Sequence, residues 1–278
     1  MLPYSNLVSD SLLVNSTIDF LISVGGSASA VNVVDHVMRI RDPHPDFARV
    51  LIADVIDRDP RLELCDDHVS VTEPDHDARC LEETGFVVFD LETTGAKAPP
   101  CRVIEIGAYL VKGGRIAGEF RSLVNPEASI PPFISSLTGI SDAMVSNAPA
   151  FSEVAPQFLE FLGDSVLVAH NIGFDLHFLN HEIGRVYEDY RLGSASLCTV
   201  QLSRGLVQNV ENHKLKTMAE HFSVPLVNHH RADEDAKATA QVFINLLDDL
   251  RSRGVETLGA ARRFCRLKHY AKRTEAAA

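Results

Sequence analysis

Phe86-Val87-Val88-Phe89-Asp90-Leu91-Glu92-Thr93-Thr94-Gly95 is an apolar run that ends in two acids one residue apart, ahead of a glycine-marked loop. The apolar residues predict a buried strand over 86–91. On a strand, residues i and i+2 share a face, so Asp90 and Glu92 point together from its end. Two carboxylates held that close repel each other unless a cation lies between them. A hard divalent ion such as Mg²⁺ or Mn²⁺ is the natural candidate, since both favour oxygen ligands.

Beyond this stretch, strands are expected at 103–111 and 115–124 around a Gly113-Gly114 turn, and at 166–169. Helices are expected at 151–162, 174–183, 199–206, 215–222 and 232–250, with short helical turns at 131–134 and 142–145. Strands followed by helices predict an α/β domain built on a mixed sheet. Val166-Leu167-Val168-Ala169-His170-Asn171 ends a strand, and Phe174-Asp175 opens the helix after it. Asp175 thus falls where a strand end meets a helix start, the usual site edge of α/β sheets. His230-Arg231-Ala232-Asp233-Glu234-Asp235 places a histidine at the head of a helix and acids in its first turns. The small Ala232 lets that helix approach the sheet closely, and Asp233 and Glu234 read as solvated acids favoured by the helix dipole.

Asp90-x-Glu92-Thr93-Thr94-Gly95, then Ala169-His170-Asn171-x-x-Phe174-Asp175, then His230-x-Ala232-x-x-Asp235 resemble the three motifs of the DEDDh 3′→5′ exonucleases. These are relatives of the proofreading subunit of bacterial DNA polymerase III. The resemblance runs over residues 85–250 and includes Ile104-Glu105-Ile106-Gly107 and Leu137-Thr138-Gly139-Ile140-Ser141-Asp142. It implies a ribonuclease-H-like mixed sheet flanked by helices. It also implies that Asp90, Glu92, Asp175 and Asp235 hold two divalent metal ions, Mg²⁺ or Mn²⁺, with His230 as general base towards the attacking water. The step to Asp235 and the alanine at 232 select His230 over its neighbour His229. The reaction implied is release of nucleoside 5′-monophosphates from a nucleic-acid 3′ end. DNA is preferred over RNA, because Thr93-Thr94 and the Leu-Thr-Gly-Ile segment look like the polymerase-associated and repair-associated branch. Thr93 and Thr94 either bond the 3′ nucleotide or stabilise a turn. His170 and Asn171 either support the site or contact the substrate backbone, and Phe174 either stacks on a terminal base or packs in the core. The runner-up activity is RNA trimming. A catalytically silent module that holds nucleic-acid ends is the alternative from another class, and the complete set of acids opposes it.

The 278 residues carry a formal charge of −12, unevenly spread. Residues 1–83 have 16 acidic and 6 basic side chains, whereas residues 251–278 have 2 acidic and 8 basic. The basic tail, 251–278, suits contact with a nucleic-acid backbone. Residues 1–72 read as a small winged-helix-like α+β domain: helices at 16–23, 29–40 and 45–57, then a hairpin of 62–64 and 68–71. Its third helix offers Arg49 against Asp46, Asp54 and Asp57, which favours docking to a protein partner over direct duplex binding. Residues 73–83 have linker composition, leaving 84–250 as the nuclease domain. Five scattered cysteines without a CxxC pair suit reduced thiols in a cytoplasmic protein, with Cys198 a buried core thiol. Ile18 to Ala30 is not read as a signal peptide, because no Lys or Arg precedes it and Asp19 interrupts it. No uncharged run is long enough to span a membrane.

Overall fold

In the computed structural model, residues 4–56, 59–72, 76–226 and 230–264 are described. They fall into two units, Met1–Asp75 with Ile183–Gly193, and His76–Glu182 with Ser194–Ala278.

The first unit holds β1 (Leu7–Ser9), α1 (Leu12–Ser23), β2 (Ser27–Ser29), α2 (Ala30–Met38), α3 (Pro45–Ile56), β3 (Leu62–Cys65) and β4 (His68–Val71). Ser11 starts α1 by accepting the Leu13 N–H at 3.3 Å, so the helix begins earlier than the expected Ser16 or Thr17. Thr17 is fully buried and donates its hydroxyl to the Leu13 carbonyl at 2.8 Å. Ser29 caps α2 through the Asn32 N–H. Val14, Leu21, Val33, Val34, Ile52 and Val69 form the core of this unit. The expected hairpin pairs Leu62 with Val71 and Cys65 with His68. A third strand, β2, joins it in the order β2-β4-β3. On the solvent side of α3, Phe47 is 50% and Val50 68% exposed.

The second unit is built on β5 (Phe86–Thr93), β6 (Val103–Lys112), β7 (Arg115–Leu123), α4 (Pro132–Thr138), α5 (Asp142–Val145), α6 (Phe151–Leu162), β8 (Val166–Ala169) and α7 (Ile172–Val186). Next comes β9 (Tyr190–Leu192), which pairs antiparallel with β1 and belongs to the first unit. The chain then adds β10 (Ser196–Cys198), α8 (Thr199–Leu206), α9 (Leu215–His221) and α10 (Ala232–Ser252). The sheet order is β10-β8-β5-β6-β7. β5, β8 and β10 run parallel, and β6 is antiparallel to both neighbours.

Alternation along β5 divides the core. Phe86 and Val88 face α10, where Phe86 and Phe243 meet edge to face with centroids 5.0 Å apart. Phe89 projects to the other face, towards Phe158 of α6. Asp90 and Glu92 continue the Phe86–Val88 row and therefore come out on the α10 side.

Residues 76–83, expected as part of a linker, are built into this unit instead. Leu81 is buried, its N–H bonds the Glu256 carbonyl at 2.8 Å, and Cys80 bridges Thr257. Residues 258–264, expected in the tail, are helical, and Arg262 pairs with Asp77 at 2.8 Å. Residues 73–75 of the linker, His229, Cys265 and the basic tail from Arg266 onward lie outside the described residues. Among the described residues, no helix is long and apolar enough to cross a membrane.

Candidate active site

β5 delivers Asp90 and Glu92, α7 delivers Asp175 in its first turn, and α10 delivers Asp235 in its first turn. Oxygens of Glu92 and Asp235 and a ring nitrogen of His230 lie within 4.8 Å of one another. Asp175 is buried where α7 starts. Asp90 feels the remaining acids. Burial, then repulsion from Asp175, Glu92 and Asp235, pushes it well above the ordinary carboxylate range. Burial, then Asp235 and Glu105, pushes Glu92 up to about 8, with Arg231 pulling the other way. Burial also raises Asp175, against the smaller pull of nearby backbone N–H groups. The fold thus concentrates negative charge beyond what nearby Arg231 neutralises. Carboxylate oxygens with one imidazole form a donor set that fits a hard divalent cation.

One row of β6 explains how α10 arrives there. Glu105, Gly107 and Tyr109 alternate along the strand and share a face. The buried Glu105 carboxylate holds Arg231 through Nε at 3.1 Å and Nη2 at 2.6 Å, and accepts the Ala232 N–H at 2.9 Å. Gly107 lies under the Ala232–Asp233 peptide, where a Cβ would collide with backbone. The Tyr109 hydroxyl donates to Asp233 at 2.6 Å, and Arg121 reaches the same carboxylate at 3.4 Å. Asp233 is therefore a docking contact and not the solvated acid its position suggests. His230 has φ 72°, a left-handed conformation uncommon for a side-chain-bearing residue. Its N–H donates to Asp235 Oδ2 at 3.0 Å, which holds the turn.

The other candidate residues divide. The Thr93 hydroxyl donates to the Gly95 carbonyl at 2.7 Å, and the Thr94 hydroxyl accepts the Arg102 N–H at 2.9 Å. Both threonines are buried and shape the β5–β6 loop. Arg102 in turn forms a two-pronged pair with buried Glu182 of α7, at 2.7 and 3.0 Å. His170 Nδ1 lies 2.9 Å from the Thr199 hydroxyl, and burial lowers its pKa to about 4, which keeps the ring neutral. Asn171 is exposed with φ 75°, and half-buried Phe174 packs on Phe178 at 4.9 Å. Glu105 lies in the resembling segment Ile104–Gly107 but carries no expected role there, and neither do Arg231 and Tyr109. The signal available for Glu105 and Tyr109 is the period-two row Glu105-x-Gly107-x-Tyr109.

The exonuclease (RNase T) family model matches residues 87–243, more than half of the chain. A PolC-type DNA polymerase III of Caldanaerobacter subterraneus is 43% identical over 195 residues, 70% of this chain but 14% of that protein. The DNA polymerase III subunit epsilon of Aquifex aeolicus is 40% identical over 165 residues, 59% of this chain and 81% of that subunit. This chain therefore spans a small part of the polymerase and most of the epsilon subunit. Among solved structures, exonuclease X in complex with 5′ overhanging duplex DNA superposes with a TM-score of 0.52 at 24% identity. That match covers 64% of this chain and 99% of the other, and the shared fold is the ribonuclease-H-like mixed sheet. This chain belongs to the exonuclease (RNase T) family.

Proposed function

We propose that this protein removes nucleoside 5′-monophosphates from DNA 3′ ends, in proofreading or repair, with two divalent metal ions, Mg²⁺ or Mn²⁺. The observation that carries the reading is the convergence of Asp90, Glu92, Asp175 and Asp235 beside His230. The four acids would hold the two ions. When bound, such ions stabilise the attacking and leaving oxygens of an in-line displacement. Their four positive charges would also offset the four carboxylates, so that an acidic chain admits a phosphodiester. His230 serves as general base towards the attacking water, steadied by the bond between its N–H and Asp235. Exposed Asn171 and half-buried Phe174 are read as the groups that meet the terminal nucleotide, a reading their exposure supports, with His170 as neutral support. Thr93 and Thr94 act through the loop they shape.

Two relatives that are DNA polymerase III components support DNA as substrate. The first unit is read as a winged-helix-like, protein-docking domain, because α3 offers exposed Phe47 and Val50 beside Asp46 and Asp54. Cytoplasmic residence accords with this role.

The test is digestion of matched 3′-labelled DNA and RNA strands with Mg²⁺ or Mn²⁺, with EDTA, and with Asp90→Ala. Metal-dependent shortening of DNA that is lost in Asp90→Ala is expected. No shortening of any strand, or an equally active Asp90→Ala, overturns the reading. Faster loss of RNA reassigns the substrate to RNA.

A further inference from the structure

Glu105 sits directly opposite Glu92 across the β5–β6 pair. Like charges facing each other across strands destabilise a sheet, and Glu105 is buried as well. Its carboxylate is nevertheless satisfied, by three short contacts from residues 231 and 232. The Ala232 N–H is one of the orphan donors at the start of α10, and Glu105 caps it from the neighbouring strand, 127 residues away in sequence. Arg231 and Ala232 lie between His230 and Asp235. Whatever fixes them fixes both groups relative to β5.

We propose that Glu105 is a positioning residue: its carboxylate, clamped on Arg231 and the Ala232 N–H, sets His230 and Asp235 against Asp90 and Glu92. Gly107 and Tyr109 complete the dock by contacting the next peptide and Asp233. The proposal rests on the nuclease reading for its rate effects, and its effect on ion binding is read separately. Glu105 touches no substrate. It acts by aiming groups that do, as the outer partners of metal ligands do.

The experiment uses the full chain as wild type, Glu105→Ala and Glu105→Gln. Single-turnover digestion of a 3′-labelled DNA strand is measured across substrate concentrations, and Mn²⁺ binding is measured by calorimetry without substrate. Glu105→Ala is expected to lose about 100-fold in cleavage rate with the half-saturating DNA concentration unchanged. Its Mn²⁺ affinity is expected to fall roughly 10- to 100-fold. Glu105→Gln keeps an oxygen for the Ala232 N–H and is expected between wild type and Glu105→Ala in both measurements. If Glu105→Ala fails to fold, Glu105→Gln carries the comparison alone. A variant with wild-type rate and wild-type Mn²⁺ affinity overturns the proposal, as does a loss confined to DNA affinity. An inactive wild type defeats the nuclease reading, and the Mn²⁺ measurement still decides the role of Glu105.

Discussion

Replacing Gly107 by alanine adds one methyl group beneath the start of α10. That carbon would overlap the Ala232 carbonyl and lie 2.5 Å from the Asp233 nitrogen, where ordinary contact begins near 3.4 Å. Both obstacles are backbone and cannot rotate away, so the helix start must withdraw by about 1 Å or more. His230 and Asp235 flank the displaced peptide and move with it. A misplacement of that size costs about 100-fold in rate, and overpacking costs about 1–3 kcal/mol of stability. Single-turnover release of the 3′ label at saturating Mn²⁺ gives the first quantity, and urea unfolding the second. A Gly107→Ala protein indistinguishable from wild type in both would refute the docking argument.

Asp235→Ala, or removal of divalent ions by EDTA, is expected to slow cleavage by at least about 1000-fold, the equivalent of several kcal/mol of transition-state stabilisation. Restoration of the EDTA-treated protein by Mn²⁺ checks that the loss is reversible, and residual activity near wild type in Asp235→Ala contradicts the ligand assignment. Without metal, Glu92 rises from its ordinary 4.5 to about 8 in the folded chain. The folded state therefore holds this proton more tightly than the unfolded state. The associated stability is full below pH 4.5 and is lost as pH climbs towards 8. Relative to Glu92→Gln, the metal-free wild type is expected to show a falling melting temperature across that window, and a rising one is the contrary result. Added Mn²⁺ offsets the fall most at the alkaline end, where its ligands are deprotonated. Arg102→Ala leaves the Glu182 carboxylate buried and stripped of its two-pronged partner. It is expected to cost about 3–5 kcal/mol in urea unfolding, and a loss below about 1 kcal/mol would mark the pair as no stronger than a surface one.

What could be read from the sequence is what is local. The juxtaposition of Asp90 and Glu92 follows from the strand period alone, and Asp175 from a strand that stops where a helix starts. Helices α6 and α8 and strand β8 lie at the expected bounds. The strands Leu7–Ser9, Ser27–Ser29, Tyr190–Leu192 and Ser196–Cys198 were not anticipated. Three residues supply too few alternations to register as a strand. The Glu105–Arg231 clamp was hidden for a different reason. Its partners are 126 residues apart, and the facing of Glu92 and Glu105 depends on a pairing register that neither strand encodes alone. Asp233 was misread because only the fold reveals that Tyr109 lies above it.

The distance spanned by that clamp has a consequence for synthesis. Domains form as the chain emerges, N-terminal parts first, and contacts between remote residues form late because loop closure must precede them. Asp90, Glu92 and Asp175 are all made before the first turn of α10 exists. A nascent or prematurely ended chain therefore holds three acids and the β6 row that receives α10, and lacks the helix that carries the fourth acid. On the proposed mechanism, the fourth carboxylate and the general base arrive together when residues 230–235 seat on β6, and incomplete copies would lack both.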